Sequence, residues 1–200
     1  MTQVLLATRN IKKLAELRRI LDPLLPGLEV LGLDSVPAYD EPPETEPTFE
    51  GNALIKARAA VAATRLPSLA DDSGLCVDAL GGMPGVLSAR WSGSPKDDRR
   101  NNELLLAQLA DVPDSRRGAH FACAVAFCHP GGEDVVTGEM PGRIIREMRG
   151  EGGFGYDVLF VPDGYDLTGA EMDPGLKDEL SHRGKSLRAV APIVAKALAG

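Results

Sequence analysis

The chain has 200 residues, 44% of them hydrophobic and 26% charged, with a formal net charge of −7. This balance excludes a disordered chain and supplies enough apolar side chains for one domain over residues 1–200, built as a single body or with two lobes. The acidity speaks against a nucleic-acid binder and no apolar run reaches the ~18 residues of a membrane span. Three cysteines and no basic, signal-like start then point to a reducing compartment, the cytoplasm.

Residues 3–8 read as a short buried strand, followed by a helix over 11–21 whose Ile11, Leu14, Leu17 and Leu21 recur at spacings of three and four. A second strand at 28–33 completes a β-α-β opening, which predicts an α/β fold. Residues 34–47 are rich in proline and acid and form a loop. A helix over 49–64 follows, with Thr48 as its N-cap and an alanine-rich face. A strand then leads into Asp71-Asp72 and is expected to end there, ahead of a glycine turn. Residues 81–97 are punctuated by glycine and proline. A helix is expected near 97–110, and residues 119–128 read as a central strand buried on both faces. Residues 134–139 are its hairpin partner across His129–Gly132. A glycine-rich loop from Gly150 to Gly155 precedes a strand at 157–161, and a helix over 186–199 closes the chain.

The chemistry concentrates in a few places. Asp71 and Asp72 are adjacent carboxylates that repel unless positive charge lies beside them. They are either ligands of a divalent cation or part of a solvated turn. Thr8-Arg9-Asn10-Ile11-Lys12-Lys13 stands where the first strand meets the first helix, and a helix N-terminus with a lysine in its first turn suits a phosphate. In the plainer alternative Asn10 caps the helix and Lys13 faces water. Lys56 lies beside Ala53, Ala57 and Ala60, where close packing is possible, and Glu44 in the acidic loop precedes it. In Gly152–Asp157 the glycines let backbone approach a ligand closely, and Phe154 is either offered to a flat base or turned into the core. Lys177 and Ser181-His182-Arg183-Gly184-Lys185 gather donors near the last helix. His120, Cys123, Cys128 and His129 do not have the spacing of a zinc motif, and the chain has no GxSxG, HExxH or CxxC.

Taken in order, these blocks resemble the inosine triphosphate pyrophosphatase family. The blocks are Thr8, Asn10 and Lys13; then Thr48, Phe49, Asn52, Ala53, Lys56 and Ala57; then Ala70–Leu75, Pro84–Gly93, Gly152–Asp157 and Ser181–Gly184. Two positions depart from the pattern: Gly51, where the family usually has Glu, and Val158, where it usually has Pro. The resemblance implies an elongated, two-lobed α/β fold with a mixed sheet and a cleft, a homodimer, and hydrolysis of non-standard purine nucleoside triphosphates (ITP, dITP, XTP) to monophosphate and pyrophosphate. That activity would keep deaminated purines out of DNA and RNA.

The resemblance also implies roles. Mg²⁺ would be held by Glu44 and Asp72, with Asp72 also the general base and Asp71 a supporting residue. Lys13, Lys56, Ser73 and the turn of Thr8, Arg9, Asn10, Ile11 and Lys12 would hold the phosphates. Phe154, Gly155, Tyr156, Asp157 and Lys177 would meet the base. His182 and Arg183 would donate to its 6-oxo group. Two alternatives remain: a sister enzyme for modified pyrimidine triphosphates, and a nucleotide-binding regulator without turnover.

Overall fold

The computed structural model describes residues 2–199. Six strands form one sheet in the order β2-β1-β3-β4-β5-β6. They are β1 (Thr2–Leu6), β2 (Leu28–Leu31), β3 (Ser68–Val77), β4 (Gly118–His129), β5 (Gly132–Ile144) and β6 (Phe160–Pro162). The helices are α1 (Ile11–Leu21), α2 (Phe49–Thr64), α3 (Asp98–Gln108), α4 (Pro174–Leu180) and α5 (His182–Leu198). β1 pairs in parallel with both β2 and β3, and β5 pairs antiparallel with β6, so the sheet is mixed and the class is α/β, as expected. Contacts divide the chain into two compact units: Met1–Asp72 with Cys123–Gly138 and His182–Gly200, and Ser73–Ala122 with Glu139–Ser181.

In the first unit the two-residue period of the strands sorts side chains onto two faces. Val4 and Leu6 of β1, Leu69 of β3, and Cys123, Val125 and Phe127 of β4 pack with Leu17, Ile20 and Leu21 of α1 and with Leu187, Val190 and Val194 of α5. The alternate residues Leu5, Ala7, Ala70, Ala124, Ala126 and Cys128 pack with Ala53, Ala57 and Ala60 of α2. Small side chains on both partners let α2 lie close to the strands, which the alanine-rich face foretells. Cys123 and Cys128 therefore stand on opposite faces of β4, each among apolar neighbours. Burial pushes the Cys123 thiol up to about 12 and the Cys128 thiol to about 11, as befits inert core cysteines.

The Thr48 cap is present: its Oγ1 accepts from the Gly51 N–H at 3.1 Å. Thr48→Ala removes the acceptor and is expected to cost about 1 kcal/mol, read as a lowered urea midpoint at unchanged slope.

In the second unit α3 lays Leu105 and Leu109 against Leu75 and Val77 of β3, Ala119 and Phe121 of β4, and Met140 and Ile144 of β5. Tyr156, Leu159 and Phe160 complete this core. The Phe121 and Phe160 rings meet edge to face at 4.7 Å.

Three expectations need correction, and one helix is additional to those expected. β3 does not end at the aspartates; it continues to Val77, with Gly74 inside the strand. The expected strand at 157–161 is instead a 3-10 turn over Gly155–Val158, followed by the short β6. The Asp157 carboxylate bonds the Phe154 N–H at 2.9 Å, and this local bond competes successfully with strand pairing. The last helix begins at His182 rather than 186. A further helix, α4, precedes it, capped by Asp173 with Pro174 in its first turn.

Candidate active site

Period two decides what becomes of the aspartate pair. Leu69 belongs to the face covered by α1 and α5, and Ala70 to the face covered by α2. Asp71 accordingly meets residues of α1 and α5, and Asp72 meets residues of α2.

On the first face, Asp71 Oδ2 accepts from Lys13 Nζ at 2.9 Å and from Arg183 Nε at 3.3 Å. Arg183 Nη1 donates to Glu16 Oε2 at 2.6 Å. The result is a buried chain of alternating charge, Glu16–Arg183–Asp71–Lys13. Burial would raise the Asp71 carboxyl, but Lys13 and Arg183 pull it well below the ordinary carboxylate range. Burial likewise opposes the Arg183 charge, and Glu16 and Asp71 overcome it. Asp71 Oδ1 is buried with no hydrogen-bond partner among the described residues.

On the second face, Asp72 Oδ1 accepts from Lys56 Nζ at 3.3 Å and Oδ2 from Asn52 Nδ2 at 3.2 Å. Lys56 Nζ also reaches Glu44 Oε1 at 3.1 Å. Asn52 and Lys56 are one helical turn apart on α2, so both polar heads leave the same face. Asn52 further exchanges hydrogen bonds with the backbone of Glu46, at 3.0 and 3.2 Å, which fastens the acidic loop beside the aspartate. Burial pushes the Asp72 carboxyl above its ordinary value; Lys56 pulls it down and Glu44 pushes it up again. Lys56 is held charged: burial would lower it, but Asp72, Asp71 and Glu44 raise it. A buried carboxylate with a raised pKa is a better proton acceptor than a solvated one.

Asp72 and Glu44 converge on one cationic position, that of the Lys56 ammonium. Among the described residues no three His, Cys, Asp or Glu side chains come together as a metal cage. Asp72 and Glu44 are both hard oxygen donors, the ligand type a divalent cation takes.

At the start of α1, Asn10 Oδ1 accepts from the Lys12 and Lys13 N–H groups at 3.0 and 3.1 Å, and Thr8 Oγ1 accepts from the Asn10 N–H at 3.2 Å. The capping alternative therefore holds for Asn10, and two helix N–H groups are spent on its side chain. Lys13 does not face water; it is tied to Asp71. Arg9 reaches the Tyr39 carbonyl at 2.8 Å and Glu41 at 3.3 Å, while Ile11 stands 82% exposed. Lys12 is exposed, and Ser73, next to Asp72 in β3, is half-buried. The Glu46 Cβ lies 2.6 Å from where a Cβ on Gly51 would stand, so a larger residue at 51 requires Glu46 to move. His182 opens α5 and is buried.

In the second unit the glycine loop is held at several points. Asp157 Oδ2 accepts from the Phe154 N–H and from Lys177 Nζ at 2.5 Å. Lys177 Nζ stands 5.7 Å from the centre of the Phe154 ring. Tyr156 Oη donates to the Ser88 carbonyl at 2.9 Å. Gly153 has φ +68°, and a Cβ there would run into Asp157 Oδ2, so glycine is favoured at this position. Phe154 is half-buried, not sealed in the core.

A sequence profile of the Ham1 family matches residues 4–193. The chain belongs to the Ham1 family. This Ham1 chain is 64% identical over 197 residues to a dITP/XTP pyrophosphatase of Nocardia farcinica, covering 98% of this chain and 96% of that protein. Its fold resembles a crystal structure titled nucleoside-triphosphatase / dITP/XTP pyrophosphatase from Mycobacterium abscessus, with TM-score 0.78 and 55% identity over 96% of this chain and 100% of that one. It also resembles the Staphylococcus aureus Ham1 protein, with TM-score 0.86 and 34% identity over 98% and 100% of the two chains. The resemblance carried by six short blocks thus extends along residues 4–193. Sequence reasoning did not assign roles to Asn52 or Glu16. Asn52 was detectable as a polar residue one turn from Lys56 on an alanine face. Glu16 had no such signal, because its partner Arg183 is 167 residues away.

Proposed function

We propose that this chain hydrolyses non-standard purine nucleoside triphosphates (ITP, dITP and XTP) to the monophosphate and pyrophosphate. The observation that carries the reading is Asp72: a buried carboxylate with a raised pKa, oriented by Asn52 and Lys56, in a chain close in sequence to named dITP/XTP pyrophosphatases.

In this reading Asp72 accepts the proton of the attacking water, and the bond between the α- and β-phosphoryl groups breaks with the electron pair leaving on pyrophosphate. Glu44 and Asp72 would hold Mg²⁺, which when bound would supply charge neutralisation for the phosphate oxygens. Lys13 has three N–H donors and commits one to Asp71, which leaves the others to reach phosphate. Lys56, Ser73 and the turn from Thr8 to Lys12 assist. Phe154 stacks on the purine beside Gly155 and Tyr156, and Asp157 and Lys177 contact it. His182 donates to the 6-oxo group, which inosine and xanthosine carry and adenosine does not. A site built on such a hydrogen bond rejects the wrong partner by ~10⁴ or more. Arg183, expected beside His182 at the 6-oxo group, instead commits Nε and Nη1 to Asp71 and Glu16, so in this reading it holds Asp71 and, through it, Lys13. We further propose that the protein works in the cytoplasm as a homodimer of single-domain chains. Among the described residues no helix is long and apolar enough to cross a membrane.

The test is a panel of ITP, XTP, dITP, GTP, ATP and modified pyrimidine triphosphates with Mg²⁺, with products separated by chromatography. Monophosphate and pyrophosphate from the first three are expected. Preference for the pyrimidines would assign the chain to the sister activity, and binding without turnover would make it a regulator. Light scattering on the same sample reads the dimer.

A further inference from the structure

The start of α3 holds Gly155 from both sides. Its N–H donates to Asp98 Oδ2 at 2.8 Å, and its carbonyl accepts from Asn102 Nδ2 at 2.8 Å. Asp98 and Asn102 are one helical turn apart, so both point the same way from α3. Asn102 is 2% exposed and its Nδ2 also donates to the Asp98 carbonyl at 2.7 Å, which locks the amide in place. Gly155 itself sits at φ +60°, in the left-handed region that favours glycine. The preceding residue, Phe154, is extended, and its N–H is pinned by Asp157. The peptide units flanking the Phe154 ring are therefore fixed independently, one by Asp157 and the other by the helix.

Neither Asp98 nor Asn102 belongs to the blocks that carry the family resemblance. A glycine at φ +60° would otherwise sample many conformations, and the ring before it would sample them too. Two directed hydrogen bonds, one to a carboxylate, remove that freedom before any ligand arrives.

We propose that Asp98 and Asn102 are positioning residues for base recognition: they preset the Gly155 backbone, and with it the Phe154 ring, for the purine of the substrate. This rests on the reading above that the glycine loop meets the base. The effect falls on ground-state binding of the base, not on the phosphates or on proton transfer.

Asp98→Ala is expected to raise KM for ITP roughly 3- to 10-fold, the net worth of one ordinary hydrogen bond, with kcat within about twofold. The inhibition constant of inorganic triphosphate, which has no base, stays at the wild-type value. Asp98→Asn keeps an oxygen acceptor and restores KM. Asp98→Glu keeps the charge at the helix start but displaces it by one methylene, and KM rises. An unchanged KM in Asp98→Ala overturns the proposal. So does a parallel rise in the inhibition constant of inorganic triphosphate, or an Asp98→Asn variant as impaired as Asp98→Ala. Phe154→Ala separates the two levels. If it leaves KM for ITP unchanged, stacking by Phe154 is wrong whatever Asp98 does. If it raises KM while Asp98→Ala does not, only the positioning role fails.

Discussion

Replacing Asp72 by Asn is expected to lower kcat for ITP by about 10²–10⁴, the usual worth of a positioned general base, while the protein stays folded. The substitution preserves side-chain volume and leaves an oxygen for the Lys56 ammonium, which Asp72 Oδ1 now meets at 3.3 Å; its amide nitrogen no longer accepts from Asn52 Nδ2, which keeps the Glu46 carbonyl as acceptor. It removes the proton acceptor and one negative charge. Stability should not suffer, and the sign follows from the pKa. Burial raises the folded Asp72 carboxyl above its unfolded value, so the native state binds protons more tightly there and ionisation weighs against folding at neutral pH. Removing the charge relieves that cost, and Tm is expected to hold or rise. The kinetic sign runs the other way. Wild-type kcat/KM should fall as pH drops through the raised Asp72 pKa, and this acid limb should vanish from the residual activity of Asp72→Asn. Stopped assays between pH 5 and 9 read both effects, and near wild-type turnover in the variant would remove Asp72 from the role of base.

The contrast between Asp71 and Asp72 shows what the sequence could and could not reveal. The β-α-β opening, the Thr48 cap, the alanine face of α2 and the doubly buried β4 were all legible, because each depends on periodicity or on a residue a few positions away. That the two carboxylates face different ways also follows from strand geometry alone. Their placement inside β3 did not, since Asp-Asp-Ser-Gly has the composition of a turn. The strand continues because each carboxylate is neutralised on its own face, by groups 16, 58 and 112 residues away in the chain. Such pairings leave no trace in local spacing. At 157 the error had the opposite origin. Tyr-Asp-Val-Leu-Phe looks β-forming, but a three-residue side-chain bond from Asp157 to the Phe154 N–H made a tight turn instead. The cap of α4, Asp173-Pro174, is a local signal: a side-chain acceptor followed by proline in the first turn. Gly184 disguised the start of α5, where packing of a buried glycine outweighs its poor helix propensity.

Arg183→Met is expected to destabilise the protein by about 3–5 kcal/mol, the cost of leaving buried charge without its partner. Two carboxylates lose their guanidinium at once: Asp71, with a side chain 1% exposed, and Glu16, with one 9% exposed. Methionine fills much of the volume, so the loss reflects charge and not a cavity. For a chain of this size the loss corresponds to a fall in Tm of roughly 10 °C, and urea denaturation gives the free energy directly. The dependence on pH identifies the carboxylate responsible. The folded Asp71 pKa is depressed, so its contribution is fully present above the unfolded value of about 3.9 and is lost as pH falls below it. Wild-type protein should therefore lose stability steeply on acidification, and Arg183→Met less steeply, because its Asp71 loses one of the two cations that hydrogen-bond it. Adding Glu16→Gln to Arg183→Met removes one orphaned charge and should recover part of the loss. Strict additivity of the two substitutions would show that Glu16 and Arg183 do not interact. The same variant should also weaken phosphate binding, since Asp71 without Arg183 draws harder on the Lys13 ammonium. A rise in the inhibition constant of inorganic triphosphate at unchanged purine preference would place Arg183 behind the phosphates and not against the base.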